Sequence, residues 1–147
     1  MRFLLCLLLP LCLCSCAGYE IKNLAKSDID LVADEFIQET RSAVRELVVK
    51  LYKRNPVQLQ KNPGMTIEGR LAQLRVHRNE LNFVELGGKQ GIEAMLMAFD
   101  PDFTGDRVFA LVVGLGSMLR EAYSYKSEMF LTDQLDAKVL LVSARNV

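Results

Sequence analysis

The chain has no tryptophan, a single histidine, and no cysteine beyond position 16. Residues 17–147 therefore hold no disulfide, no thiolate metal ligand and no cysteine nucleophile. The one imidazole, His77, lies in "LRVHRNE", and the chain offers neither an S-x-x-K motif nor a nucleophile elbow to accompany it. It reads as a surface or helix-end residue rather than a general base. The most apolar run, Phe3 to Leu13, is about eleven residues long and contains Pro10. A transmembrane helix needs roughly 20 apolar residues. Formal net charge is zero, which removes any global bias toward nucleic acid or anionic surfaces. Four prolines, no low-complexity run and no solenoid-type repeat complete the list of absences.

What remains is ordinary globular material. Half of the 147 residues are apolar and a quarter are charged, enough for one domain with a core. Ser27 with Asp28 and Asp30 marks a helix start, because a serine oxygen can accept from first-turn amides while acids favour the positive end of the dipole. Apolar residues at 29, 32, 36, 43, 47 and 51 then follow a helical period, and Asn55–Pro56 ends it. Such a helix is roughly 40 Å long at the standard rise per residue. Pro56 begins a further turn, closed by Pro63–Gly64, and a third helix starts at Thr66 with Ile67, Leu71 and Leu74 on one face.

"GIEAMLMAF" reads as a short, mostly buried helix and "DPDFTGD" as a loop in which Asp102 or Thr104 caps the next helix. That helix runs from Asp106 to about Tyr125, with Gly114, Gly116 and Ser117 thinning one side so that another backbone can approach. A last helix starts near Thr132–Asp133, and its unfinished pattern at Val147 suggests a truncated C-terminus. The expected fold is all-α, a small bundle of four to five helices with one long N-terminal amphipathic helix.

The four cysteines, Cys6, Cys12, Cys14 and Cys16, all sit in the leader. Arg2, the short apolar run and the small residues after it have the layout of a secretory signal peptide. Spacing at i, i+2 and i+4 does not suit a metal site, which wants C-x-x-C-type pairs on a folded frame. Ser15 and Ala17 could serve ordinary cleavage after Ala17, giving a soluble periplasmic protein.

"LCSC", Leu13 to Cys16, resembles the lipobox of bacterial lipoprotein precursors, with an aliphatic residue at −3 and a small one at −1. Only Cys16 passes that test; Cys6, Cys12 and Cys14 each follow a leucine. The resemblance implies a signal peptide over 1–15, lipidation at Cys16 with acyl chains such as palmitate, a tether over 16–26 and a helical domain over 27–147. Each buried CH₂ contributes about 0.8 kcal/mol, so several chains anchor permanently. Ala17 at +2 implies the outer membrane, facing the periplasm.

Constellations that could carry chemistry are few. Asp100, Asp102, Thr104 and Gly105 mimic the start of a calcium loop, but Leu111 stands where the bidentate Glu belongs and Arg107 occupies position 8, so a turn with capping acids is the better reading. "GLGSM" lacks the preceding strand of a phosphate-binding turn. Met95, Met97 and Met118 read as core. No pair of carboxylates is singled out for glycoside cleavage.

Charge is uneven: residues 41–78 carry nine Lys/Arg against two Asp/Glu, and residues 80–136 carry ten acidic against four basic. The plain expectation is that these faces settle against each other; the sharper one is that the basic face meets lipid headgroups or cell-wall polymer.

The function expected on these grounds is a lipid-anchored, non-catalytic interaction or envelope-assembly module with a protein partner in the envelope, and with no metal, cofactor or nucleic acid. The alternative is a helical carrier holding an amphiphile between helices 91–99 and 106–123. An envelope-polymer hydrolase ranks below both.

Overall fold

A computed structural model describes residues 25–76 and 81–146. Every regular element among them is helical: α1 Asp28–Arg54, α2 Pro56–Gln60, α3 Ile67–Val76, α4 Gly91–Phe99, α5 Arg107–Ala122 and α6 Ala137–Asn146, with a 3-10 turn at Val84–Leu86 before α4. The class is all-α with one long N-terminal helix, as expected. Among the described residues no helix is long and apolar enough to cross a membrane.

The start and stop of α1 follow local chemistry. Asp30 N donates to Ser27 Oγ at 3.2 Å, and Ser27 N donates to the Asp30 carboxylate at 2.7 Å, closing a capping box. At the other end Asn55 N donates to Leu51 O at 2.9 Å, and Pro56 opens α2.

The buried face of α1 differs from the expected one. Ala33, Ile37, Val48 and Tyr52 face the core, whereas Ile29, Val32 and Phe36 are 72%, 56% and 60% exposed. Two apolar rows lie one position apart on this helix, and periodicity cannot choose between them. Packing of Val48 and Tyr52 against Val108 and Val112 of α5 selects the second row. The N-terminal half is then pinned by its polar residues. Asp34 pairs with the Lys26 ammonium and accepts from Met129 N at 2.6 Å, while Ala33 and Ile37 pack on Met129. Leu131 N also donates to Ala25 O at 3.1 Å, which closes the segment before α6 onto the start of α1.

The centre of the molecule is α5, where Val108, Phe109, Ala110, Val112, Val113 and Met118 are all buried. Its cap is Asp106, whose carboxylate accepts from Phe109 N at 2.9 Å, and neither Asp102 nor Thr104 fills that role. Asp102 is instead turned into the preceding loop, its amide donating to Asp100 Oδ1 at 2.9 Å. The helix ends at Ala122, earlier than expected, and α6 begins at Ala137, later than expected. Asp136 accepts from Lys138 N at 2.8 Å at the start of α6. Asp133 is used in the preceding turn, where its carboxylate accepts from Phe130 N at 3.1 Å.

The expected thinning of α5 is used by α4. A Cβ placed on Gly114 would lie 2.6 Å from Gly91 O and 2.6 Å from Met95 N, so the two backbones touch there. Ala94 and Ala98 supply the rest of the inward face. The large side chains of α4 consequently point outward: Ile92, Leu96 and Phe99 are all exposed, and the helix is not mostly buried as its composition suggests. Gly91 itself has φ +54°, and its amide donates to Ser117 Oγ of α5 at 2.6 Å, which locks the start of α4 onto the thinned face.

Two glycines separate close packing from propensity. Gly114→Ala is expected to destabilise by about 2–3 kcal/mol, because backbone must move to admit the methyl group. At Gly116 the nearest atom is the Leu81 Cδ1 methyl at 3.2 Å, the movable end of a side chain. Gly116→Ala is expected to stay within about 1 kcal/mol of the parent, since helix propensity offsets the small displacement. Urea unfolding of the two variants checks this; equal losses would mean the seam is not closely packed.

Candidate functional site

The walls of the most distinctive cleft are joined by a buried polar cluster. Arg70 of α3 is 0% exposed. Its Nη1 and Nη2 donate to Glu85 Oε1 and Oε2 at 2.6 and 2.9 Å, a two-pronged contact with the 3-10 turn. Nη2 also donates to Asp106 Oδ2 at 3.1 Å, and Nη1 to Gln73 Oε1 at 3.0 Å. The guanidinium carbon lies 3.8 Å from the Phe109 ring centroid. Tyr52 of α1 donates through its hydroxyl to the same Asp106 oxygen at 2.8 Å. Asp106 thus caps α5 and ties it to α1 and α3 together. Arg70 Nε alone has no hydrogen-bond partner among the described residues.

Burial, then the neighbouring Asp106 carboxylate, pushes the Tyr52 hydroxyl far above the ordinary tyrosine value. For Arg70 burial works against the charge, but the hydrogen bonds it donates to Glu85 and the charges of Glu85 and Asp106 outweigh it and hold the guanidinium protonated.

On the other side of α5 from α4, a cleft of about 330 Å³ opens between α1, α3 and α5. Its floor is apolar: Ile37, Val44 and Val48 from α1, Leu74 from α3, and Val112 and Leu119 from α5. Its charged lining residues are all cations, Arg41 and Arg45 from α1, Arg75 from α3, Arg120 from α5 and Lys126 from the turn that follows. No carboxylate lies among the described lining residues.

That turn is a Schellman motif built without glycine: Tyr125 N donates to Arg120 O at 2.7 Å and Ser124 N to Glu121 O at 2.9 Å, with φ +53° at Ser124 and +61° at Tyr125. Left-handed backbone at such residues costs roughly 1–2 kcal/mol each. The turn carries Lys126 back to the cleft rim, where its carbonyl accepts from Arg41 Nη2 at 3.3 Å.

Three of the five cations are engaged in holding the rim. Arg41 donates to that carbonyl, Arg120 Nη2 donates to Leu74 O at 2.8 Å, and Lys126 pairs with Asp133. Arg45 and Arg75 meet no carboxylate or carbonyl among the described residues. The nearest acid on α1, Glu46, is taken by Lys50 at 2.7 Å, which holds its carboxyl below the usual range. A second, wider depression of about 670 Å³ under α6 is lined by both signs of charge, with Glu121, Asp136 and Lys138 at exposed positions. It concentrates no single chemistry.

The structure sorts the residues singled out in the sequence. Cys16, His77 and Val147 lie outside the described residues. The acidic loop is strapped by a cation of its own: Arg107 donates to Ala98 O at 3.1 Å, Pro101 O at 3.1 Å and Phe103 O at 2.9 Å. Those carbonyls face a guanidinium, so the calcium-like spacing serves the turn. No group of three His, Cys, Asp or Glu side chains suited to a metal forms among the described residues. Met118 is buried, Met97 packs against the core and Met95 lies beside Gly114, as core methionines do.

The seam between helices 91–99 and 106–123, where the sequence places an amphiphile, is in backbone contact at Gly114, while Gly91 and Ile92 on one helix and Ser117 and Met118 on the other border the second depression. Cleft and buried cluster were both missed in the sequence. The net charge of residues 41–78 was the available signal, and it could not tell Arg70, which is buried, from Arg45 and Arg75, which face the opening. Comparison with protein-family models, with curated proteins and with solved structures finds no match to the chain.

Two variants probe the buried cluster. Arg70→Met is expected to cost about 3–5 kcal/mol in urea unfolding, because the Asp106 and Glu85 carboxylates lose their shared counter-charge. A loss below 1 kcal/mol on the same scale would mean that solvent compensates them. The second concerns base. Unfolded tyrosine ionises near its ordinary value of 10.0, whereas the native Tyr52 hydroxyl does not. The native state therefore holds more protons above pH 10, and stability falls there by up to about 1.4 kcal/mol per pH unit from this group. Tyr52→Phe is expected to lose about 1 kcal/mol at neutral pH and to fall less steeply above pH 10. An unchanged slope would place the cause elsewhere.

Proposed function

We propose that this chain is a non-catalytic binding module of the bacterial envelope, held by lipid on Cys16 at the periplasmic face of the outer membrane, and that it takes up an amphiphile in the cleft between α1, α3 and α5. The carrying observation is the conjunction of an apolar floor with a rim of five cations and no carboxylate among the described lining residues. Small-molecule sites are concave, mostly apolar and furnished with a few placed polar groups. Among the described lining residues no nucleophile stands beside a base, which supports holding a ligand over transforming it. The lipobox-like "LCSC" supports the address, and the four-to-five-helix bundle read from the sequence is the scaffold this function assumes.

A second reading, a protein partner in the envelope, draws on a different observation. Ile29, Val32 and Phe36 on α1, and Ile92, Leu96 and Phe99 on α4, form exposed apolar rows at helical spacing. Rows of this kind suit contact with another chain better than scattered single exposures do.

The chain carrying Cys16→Ser, isolated without detergent, is expected to leave the membrane fraction and to bind the neutral fluorescent amphiphile N-phenylnaphthylamine at one saturable site. Leu119→Trp, which puts an indole into the cleft, is expected to weaken that binding about tenfold, a loss of roughly 1.4 kcal/mol, while circular dichroism stays native. Undiminished binding by a folded Leu119→Trp chain would remove the cleft from the function. Continued membrane attachment of Cys16→Ser would remove the anchor.

A further inference from the structure

We infer that the ligand of this cleft is a single-chain amphiphile with an anionic oxyacid head, carboxylate or phosphate, and that Arg45 and Arg75 receive the head while the apolar floor receives the chain. The inference rests on the amphiphile reading above and adds the sign and shape of the ligand.

Charge comes first. The whole chain is neutral, yet every charged residue described in the cleft lining is a cation. Arg41 and Arg45 stand one helical turn apart on α1, an arrangement of like charges that repels. No acid stands three or four residues from Arg45 on α1, and Glu46 beside it in the chain is paired with Lys50. Elsewhere in the molecule cations near the core are answered: Arg70 by Glu85 and Asp106, and Lys26 by Asp34 and Glu128. In the cleft, Arg41, Arg120 and Lys126 are committed to carbonyls or to Asp133, and Arg45 and Arg75 are the pair left facing the opening.

Geometry selects the head. Guanidinium groups present paired donors that match carboxylate and phosphate oxygens, and they are less strongly hydrated than ammonium groups. Arg45 stands on α1 and Arg75 in the last turn of α3, so the two cations line the cleft from the two helices that the Arg70 cluster ties together. Size selects the tail. About 330 Å³ is near the lower bound for small-molecule cavities, which matches one acyl chain better than two.

The test compares ligands of one chain length and different heads on the detergent-free Cys16→Ser chain, by isothermal titration. Dodecanoate and dodecyl phosphate are expected to bind about tenfold tighter than monododecanoylglycerol, and dodecyltrimethylammonium is expected to bind more weakly still. The ratio of dodecanoate to dodecyl phosphate tells the two anionic heads apart. Arg45→Gln with Arg75→Gln is expected to bring the anions down to the affinity of the neutral ligand without changing the latter.

A second measurement needs no variant. Raising NaCl from about 50 to about 300 mM is expected to weaken the anions several-fold and leave the neutral ligand unaffected, because screening acts on the head alone. Equal affinity for neutral and anionic heads, with no salt dependence, would overturn this inference while leaving an amphiphile site in place. Absence of binding by every member of the series would overturn the amphiphile reading itself.

Discussion

A guanidinium sealed from water is the constraint on which the arrangement of helices depends. Arg70 is fully buried, and its ion pairs reach different parts of the chain: Glu85 in the 3-10 turn, Asp106 at the cap of α5, and through Asp106 the hydroxyl of Tyr52 on α1. Charge desolvation on this scale is expensive, and a well-packed apolar side chain of equal volume often serves stability as well or better. What the guanidinium supplies is direction. Its fork donates to Glu85 in one orientation, its face lies on Phe109, and Asp106 must stand where the α5 amides also need it. Three helices are thereby held in one relative position, and the cleft they enclose takes its shape from that position.

The second determinant is the thickness of α5. On one side Gly114 lets α4 approach to backbone contact, with Ala94 and Ala98 completing a surface of small residues. A seam this close leaves no interior space, and it drives the bulky residues of α4 outward. On the other side α5 presents Val112 and Leu119, which hold α1 and α3 at side-chain distance rather than backbone distance. The cleft opens on that side. The same helix therefore closes one face of the molecule and opens the other.

Neutral net charge conceals a division of labour among the cations. Some are structural: Arg70 in the core, Arg107 strapping the loop before α5, Arg120 on the Leu74 carbonyl. Others, Arg45 and Arg75, line the cleft with no acid among its described lining residues. Opposite-sign segments do settle against each other, as the Arg70 contacts to Glu85 and Asp106 show, but the settlement is partial. Its remainder is concentrated at one opening.

Element boundaries set by local chemistry were legible in the sequence. Ser27 and Asp30 cap α1 through side chains three residues apart, Asn55–Pro56 ends it because proline disfavours a helical predecessor, and Gly114 announces a close approach by lacking a side chain. These depend on neighbours in the chain. The address suggested by "LCSC" is equally local, since it depends on what precedes each cysteine. Which of two apolar rows on α1 turns inward was not legible. Neither was the choice of Asp106 over Asp102 or Thr104 as the cap, nor the difference between Arg70 and Arg75. Each of those choices is made by a partner distant in sequence: Val108 and Val112 for the row, Arg70 and Tyr52 for the cap, Glu85 for the buried arginine. Local order follows from adjacent residues, whereas burial and pairing follow from which surfaces meet, and only the tertiary structure decides that.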